Sequence, residues 1–172
     1  LMGSTICLSL CHERAEILLD EAVQLLHVYK NRFSANDEDS ELMSINHLAG
    51  IESVSVHPEL FELIELGKYH SLAEDSHLNI TIGPLVQTWR IGFSDARLPS
   101  KEEIQHALCL TDPNLLELNP EDCSVFLTKK GMKLDLGALA KGYIADKIKD
   151  YLLSQGVTSA LINLGGNVLT IG

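Results

Sequence analysis

No apolar stretch in the chain approaches the roughly 20 uninterrupted residues that a membrane-spanning helix requires, so no membrane-spanning segment is expected. Basic residues are scarce, 13 Lys and Arg against 24 Asp and Glu, and they nowhere cluster. The resulting formal charge of −11 repels a phosphate backbone and argues against a nucleic-acid partner. Any anionic ligand must then be held locally, by a helix N-terminus, a single lysine or a metal ion. The four cysteines, Cys7, Cys11, Cys109 and Cys123, include no C-x-x-C pair, and the histidines show no ligand spacing around them. That argues against a zinc site, and Cys7 and Cys11 read as free thiols on an alternating strand pattern. A basic segment followed by an apolar run is missing, so no signal peptide is visible. The chain opens at Leu1 instead of Met, which leaves the compartment open. Internal repeats and low-complexity segments are absent as well.

What is present is an ordinary balance, 45% apolar and 22% charged over 172 residues, enough to bury the core of one domain. Residues 4–10 alternate, placing Ile6, Leu8 and Leu10 on one face of a half-buried strand. Leu18, Ala22, Leu25, Leu26, Tyr29 and Phe33 recur at helical spacing from Glu13 onward. The polar, acidic run 34–40 predicts a loop, followed by a short helix through Leu42 and Ile45. Pro58 suits the first turn of a helix running towards Leu72. Residues 80–86 form a brief β-branched run broken at Gly83-Pro84. Ser100 and Glu103 form a capping box that opens a helix through Ile104 and Leu108.

Residues 125–128 and 132–136 flank Lys129-Lys130-Gly131 and predict a β-hairpin. Residues 138–155 read as a helix with Ile144, Ile148 and Leu152 inward and Gly156 as its cap. Two further strands, 160–164 and 168–171, flank Gly165-Gly166. Because the strands alternate in polarity, the expected fold class is α+β: a mixed, largely antiparallel sheet with helices packed on it. Leu1 falls at the edge of the first strand pattern and Gly172 directly follows a strand. The expectation is therefore one domain, 1–172, excised from a larger fold.

Four segments could carry chemistry, and each has a plain structural alternative. In 134–146 a strand passes through small residues into a helix whose first turn holds Lys141. Small side chains let a ligand approach the backbone, and a helix start favours an anion. The alternative is a close strand-to-helix corner with a solvated lysine. Residues 79–89 carry the only Trp, and could be a strand end, a tight turn and a core aromatic. Asn163-Leu164-Gly165-Gly166-Asn167 could be a tight turn alone. The acidic loop 36–46 could be solvated surface, Met2 could be packing, and His12, His27 and His77 show no partner pattern.

In sequence order these segments read Met-Gly-Ser/Thr, Ser-Glu-Leu-x-x-x-Asn, Thr-x-Gly-Pro-Leu-Val-x-x-Trp, Asp-Leu-Gly-x-x-Ala-Lys-Gly-Tyr-x-x-Asp and Asn-Leu-Gly-Gly-Asn. That series, in register from Met2 to Val168, resembles the FAD:protein FMN transferase (ApbE-like) family. The resemblance implies an enzyme that moves the FMN half of FAD onto a Thr or Ser hydroxyl of a flavin-accepting protein and releases AMP. It also implies Mg²⁺ at the pyrophosphate and, from where relatives work, the bacterial cell envelope. By position, Met2 is implied to pack near the isoalloxazine ring, and Lys141 to serve the flavin nucleotide at the helix start. The Ala138 carbonyl is implied as one Mg²⁺ ligand. His77, Leu78 and Asn79 stand where the family reads Ala-Phe-Asp against FAD.

The sequence departs from the family pattern at three points. Asn36 stands where many members carry a flavin-stacking Tyr, and members with Asn there look more inclined to hydrolyse FAD. Asn79 replaces the usual Asp. The family's later His-Ile-x-Asp-Pro-x-Thr-Gly-type motif falls beyond Gly172, so the catalytic His and two side-chain metal ligands are expected downstream. An FAD pyrophosphatase giving FMN and AMP, or a non-catalytic flavin-binding module, are the alternatives.

Overall fold

The computed structural model of the protein describes residues 3–172. In chain order the elements are β1 (Ile6–Leu10), α1 (Ala15–Phe33), α2 (Glu41–His47), β2 (Val54–Ser55), α3 (Pro58–Ser71), α4 (Gly83–Trp89), α5 (Lys101–Leu108), β3 (Leu116–Asn119), β4 (Ser124–Leu127), α6 (Ala140–Ser154), β5 (Ala160–Leu164) and β6 (Asn167–Ile171). Contacts divide the chain into two compact units, Leu1–Phe33 with Gly137–Gly172, and Ser34–Leu136.

The first unit holds an antiparallel sheet in the order β1-β5-β6. Leu8 lies opposite Ile162 and Ile162 opposite Leu169, so a period-two apolar face forms across all three strands. The alternate residues Cys7, Ser9 and Thr170 are exposed on the other face. Helices α1 and α6 pack against these strands and each other. Helix α1 buries Leu18, Ala22, Leu26, Tyr29 and Phe33, one stripe at spacings of three and four. Helix α6 buries Ala140, Ile144, Ala145, Ile148 and Leu152 in the same way. Burying a large apolar side chain contributes about 1.5–3 kcal/mol, so the two stripes, with Ile162, Leu164 and Ile171 of the sheet, supply the core of this unit.

Phe33 joins the helices, stacking on Tyr29 at 5.5 Å and meeting the edge of Tyr143 at 5.6 Å. Helix α6 ends in a Schellman motif: Val157 N–H donates to Leu152 O (3.1 Å) and Gly156 N–H to Leu153 O (3.0 Å). Buried Leu152 and Val157 supply the accompanying apolar contact. Strands β5 and β6 form a hairpin around Gly165 and Gly166, whose φ of +65° and +99° fit a turn that needs two positive-φ residues.

The second unit has an antiparallel sheet in the order β2-β4-β3, with Val125 opposite both Val54 and Leu118. Its core gathers Leu42 and Ile45 of α2, Leu60, Leu63 and Ile64 of α3, and Leu116, Leu127, Met132, Leu134 and Leu136. The capping box before α5 is present. Glu103 N–H donates to Ser100 Oγ (3.2 Å), and Ser100 N–H to Glu103 Oε2 (2.8 Å). Arg97 adds a two-pronged pair to the same carboxylate, at 3.0 and 2.6 Å. The Arg97 guanidinium, followed by the Ser100 N–H, pulls the Glu103 carboxyl down to about 2.

Two expectations are corrected. Residues 83–89 form helix α4, where only a break and tight turn at Gly83-Pro84 were expected. Pro84 sits in the first turn of α4, where its missing N–H costs nothing. The hairpin of 125–128 with 132–136 does not form. Strand β4 is already paired on both edges, by β2 and β3, so 132–136 has no edge to join. The hairpin partner of β4 is β3, and Lys133 instead forms a parallel bridge with Ile82.

Candidate functional site

In the first unit three of the sequence motifs converge. Helix α6 is entered through Gly137, Ala138 and Leu139, and its N-cap Leu139 offers no side-chain acceptor to the first turn. A helix start without a side-chain cap leaves N–H groups and the positive end of the peptide dipoles for an anion. Lys141, half-buried in that first turn, places Nζ 2.8 Å from Ser4 Oγ. The Gly165-Gly166 turn closes from the other side. A Cβ on Gly165 would stand 2.5 Å from Ser4 Cβ and 3.1 Å from Lys141 Nζ, so glycine alone admits this approach. Gly165 N–H donates to Thr5 O (3.1 Å), and Gly166 N–H to Asn163 Oδ1 (2.9 Å), fixing the turn. A Cβ on Gly142 would meet the Asn167 amide at 3.7 Å, an ordinary contact.

Charge favours an anion here over the rest of the chain. Leu1–Phe33 and Gly137–Gly172 together carry six basic and six acidic side chains, while Ser34–Leu136 carries seven basic against eighteen acidic. Ala138 is exposed in the turn before α6. Its carbonyl could supply one oxygen to Mg²⁺, which takes six in a near-ideal octahedron. Among the described residues no group of three or more His, Cys, Asp and Glu is arranged to hold a metal ion. The described residues therefore do not by themselves make a Mg²⁺ site. Met2 lies outside the described residues.

The second unit brings two further motif segments together. Residues 80–82 run beside 133–135, with Asp135 N–H donating to Ile80 O (2.8 Å) and the parallel bridge between Ile82 and Lys133. Gly83 permits the approach, since a Cβ there would stand 2.7 Å from the Lys133 carbonyl oxygen. On the other side, the buried Asn46 acts as a one-residue strand: Leu134 N–H donates to its Oδ1 (2.7 Å) and its Nδ2 donates to Leu134 O (3.1 Å).

The remaining candidate residues of this unit differ in setting. His77 is exposed and Leu78 half-buried, its N–H donating to Ser76 Oγ (3.1 Å). The Asn79 side chain is turned towards the chain: Nδ2 donates to Thr111 O (2.7 Å) and Oδ1 accepts from Thr81 N–H (2.8 Å). Asn36 is exposed in the loop before α2, its own N–H donating to Ser34 Oγ (3.2 Å). That loop ends at Ser40, which caps α2 by accepting from Met43 N–H (3.1 Å).

Sequence reasoning singled out Lys141 and Asn79, and carried Ser4 and Thr81 within its motifs, but did not foresee that Ser4, Thr81 and Thr111 hold them. It also left Asn46 without a role. One signal was available for Asn46: it shares the apolar face of a helix with Leu42 and Ile45, and a polar side chain there needs a buried partner.

The chain matches the ApbE family over residues 2–172. Along its whole length it is 48% identical to an FAD:protein FMN transferase of Klebsiella pneumoniae, covering 54% of that protein. It is 35% identical over 90% of its length to an FAD:protein FMN transferase of Treponema pallidum, covering 44% of that one. The chain thus spans about half the length of the curated relatives it matches. Among solved structures, the Pseudomonas stutzeri flavinyl transferase ApbE in its apo form superposes with a TM-score of 0.87 at 26% identity, over 100% of this chain and 55% of that one. The ApbE protein of Thermotoga maritima gives 0.89 at 27% identity, over 99% of this chain and 56% of that one. The antiparallel sheets with their covering helices are therefore a shared fold, and by sequence from Met2 to Gly172 the chain belongs to the ApbE family.

Proposed function

We propose that the protein is an FAD:protein FMN transferase, to which this chain contributes flavin-nucleotide-binding residues. In the reaction a Thr or Ser hydroxyl oxygen of an acceptor protein attacks the FMN-side phosphorus of FAD. A new P–O bond to the acceptor forms, the anhydride P–O bond breaks, AMP leaves, and the hydroxyl proton passes to a base. Such a displacement asks the protein mainly for positioning and charge neutralisation. The observation that carries the reading is the convergence of Lys141, the uncapped start of α6 and the Gly165-Gly166 turn, in a chain 48% identical throughout to a protein so named. Lys141 and the α6 N–H groups would bind the flavin phosphate.

Mg²⁺ belongs to the same reading as charge neutralisation at the pyrophosphate, with Ala138 as one ligand and the others from outside the described residues. No residue described here is assigned as the base. His77, Leu78 and Asn79 are proposed against FAD, and Met2 beside the flavin ring. Asn36, an amide that cannot stack on the flavin as a Tyr would, motivates a second reading, in which water takes the place of the acceptor and FAD is hydrolysed to FMN and AMP. Incubating the full-length protein with FAD, Mg²⁺ and a Thr-containing acceptor peptide tests both. Transfer predicts an FMN-bearing peptide by mass spectrometry and one AMP per adduct. Free FMN with unlabelled peptide would favour hydrolysis, and neither product would refute both.

A further inference from the structure

The segment 77–81 meets strand-like pairing only at its C-terminal end, where Ile80 O accepts from Asp135 N–H (2.8 Å). Three of its N–H groups are taken up by side-chain oxygens: Leu78 by Ser76 Oγ (3.1 Å), Ile80 by Ser71 Oγ (3.0 Å) and Thr81 by Asn79 Oδ1 (2.8 Å). Side chains thus guide the path of the stretch that carries His77 and Leu78. The anchor is at its C-terminal end. Thr81 is fully buried, and its hydroxyl stands 2.7 Å from Asn79 Oδ1 and 2.8 Å from Thr111 O. Asn79 Nδ2 donates to the same Thr111 carbonyl at 2.7 Å. Thr111 is held in turn, its hydroxyl donating to Leu108 O (2.9 Å) at the end of α5.

This arrangement fixes the orientation of the amide. The oxygen of Asn79 must face the Thr81 N–H, so its nitrogen must face the Thr111 carbonyl. An aspartate could accept from Thr81 but would set a carboxylate oxygen against a carbonyl oxygen.

We propose that Asn79, Thr81 and Thr111 form a lock that positions 77–79 for FAD, and that the amide of Asn79, not an acid, closes it. Thr81 is a positioning residue, acting on the flavin nucleotide only through the backbone it holds. Asn79 both closes the lock and belongs to the stretch assigned to FAD. The proposal rests on the flavin-transfer reading, which assigns 77–79 to FAD.

The test uses the full-length protein, with FAD as the varied substrate and saturating acceptor peptide, together with thermal melting of each variant. Asn79→Ala and Thr81→Val should each raise the KM for FAD about tenfold, the size expected for an opened buried hydrogen bond. Their kcat should stay within about twofold. Thr81→Ser, which keeps the hydroxyl, should stay close to the parent. Asn79→Asp should behave like Asn79→Ala. Leu60→Ala, in the core of α3, should lower Tm and leave the KM unchanged, so that destabilisation alone does not mimic the effect.

A parent-like Asn79→Asp would overturn the donor role of the amide. A KM that tracks Tm across all variants, Leu60→Ala included, would reduce the lock to ordinary packing and overturn the proposal. If the parent protein binds no FAD, the flavin reading itself fails, and the lock for FAD with it.

Discussion

Replacing Lys141 with methionine isolates the one cation at the start of α6. The stem keeps its length and packing, and only the ammonium is lost. In the first unit, where acidic and basic side chains balance, Lys141 Nζ stands 2.8 Å from Ser4 Oγ and close to the Gly165-Gly166 turn. A hydrogen bond from such a cation to a phosphate oxygen contributes about 1.5–3 kcal/mol. At 1.4 kcal/mol per factor of ten, Lys141→Met should weaken FAD binding about 10- to 150-fold. Stability should barely move. The lost contact with Ser4 costs about 0.5–1.5 kcal/mol, and relief of a cation facing the positive end of the helix returns roughly 0.3–1 kcal/mol. Fluorescence titration of FAD into the full-length protein and the variant measures the first quantity, and thermal melting the second. A variant Kd within about twofold of the parent's would mean that Lys141 is a solvated corner residue. A large fall in Tm would mean that the loss of affinity is a folding defect.

Asn36→Tyr in the full-length protein places an aromatic ring in the exposed loop before α2. Aromatic stacking contributes about 0.5–1.5 kcal/mol beyond burial, so FAD should bind roughly 2- to 13-fold tighter and products should shift from free FMN to protein-bound FMN. An unmoved ratio by chromatography would remove this loop from the flavin site. Glu103 provides a pH test of the α5 cap. Its carboxyl is pulled from 4.5 to about 2, so its contribution is complete above pH 4.5 and is lost as pH falls towards 2. An NMR titration of the Glu103 carboxyl should find its midpoint near 2, and Arg97→Ala should raise it; a parent midpoint near 4.5 would refute the pairing.

Elements whose own periodicity decides their form were legible in the sequence. The stripes of α1 and α6, the capping box before α5 and the two strands flanking Gly165-Gly166 stand where spacing put them. The reading failed where a neighbour decides. Ile80, Thr81 and Ile82 have the β-branched chemistry of a strand, yet they make a single bridge and then turn into α4 against the Lys133 backbone. Residues 132–136 alternate as a strand should, with Met132, Leu134 and Leu136 buried. Nothing local reveals that both edges of β4 are occupied. The candidate site divides along the same line. Lys141 was visible because alternating apolar residues, small residues and a helix start follow one another. The inward turn of Asn79 depends on Thr111, 32 residues away.

The first unit is discontinuous, and this sets an order on its making. Strand β1 and helix α1 leave the ribosome well before β5 and α6, yet β1 pairs with β5, and the stripe of α1 is covered by α6. About a hundred intervening residues must be synthesised first, which at 5–20 residues per second takes roughly 5–20 s. Through that interval Leu18, Ala22, Leu26 and Phe33 have no sheet or partner helix to bury them. The continuous stretch Ser34–Leu136 can meanwhile assemble its own core, since every strand of its sheet lies within it. A nascent chain of this protein therefore carries an amphipathic α1 as an exposed sticky surface until α6 emerges. The Gly165-Gly166 turn, which brings the lysine corner together, is the last of its parts to arrive.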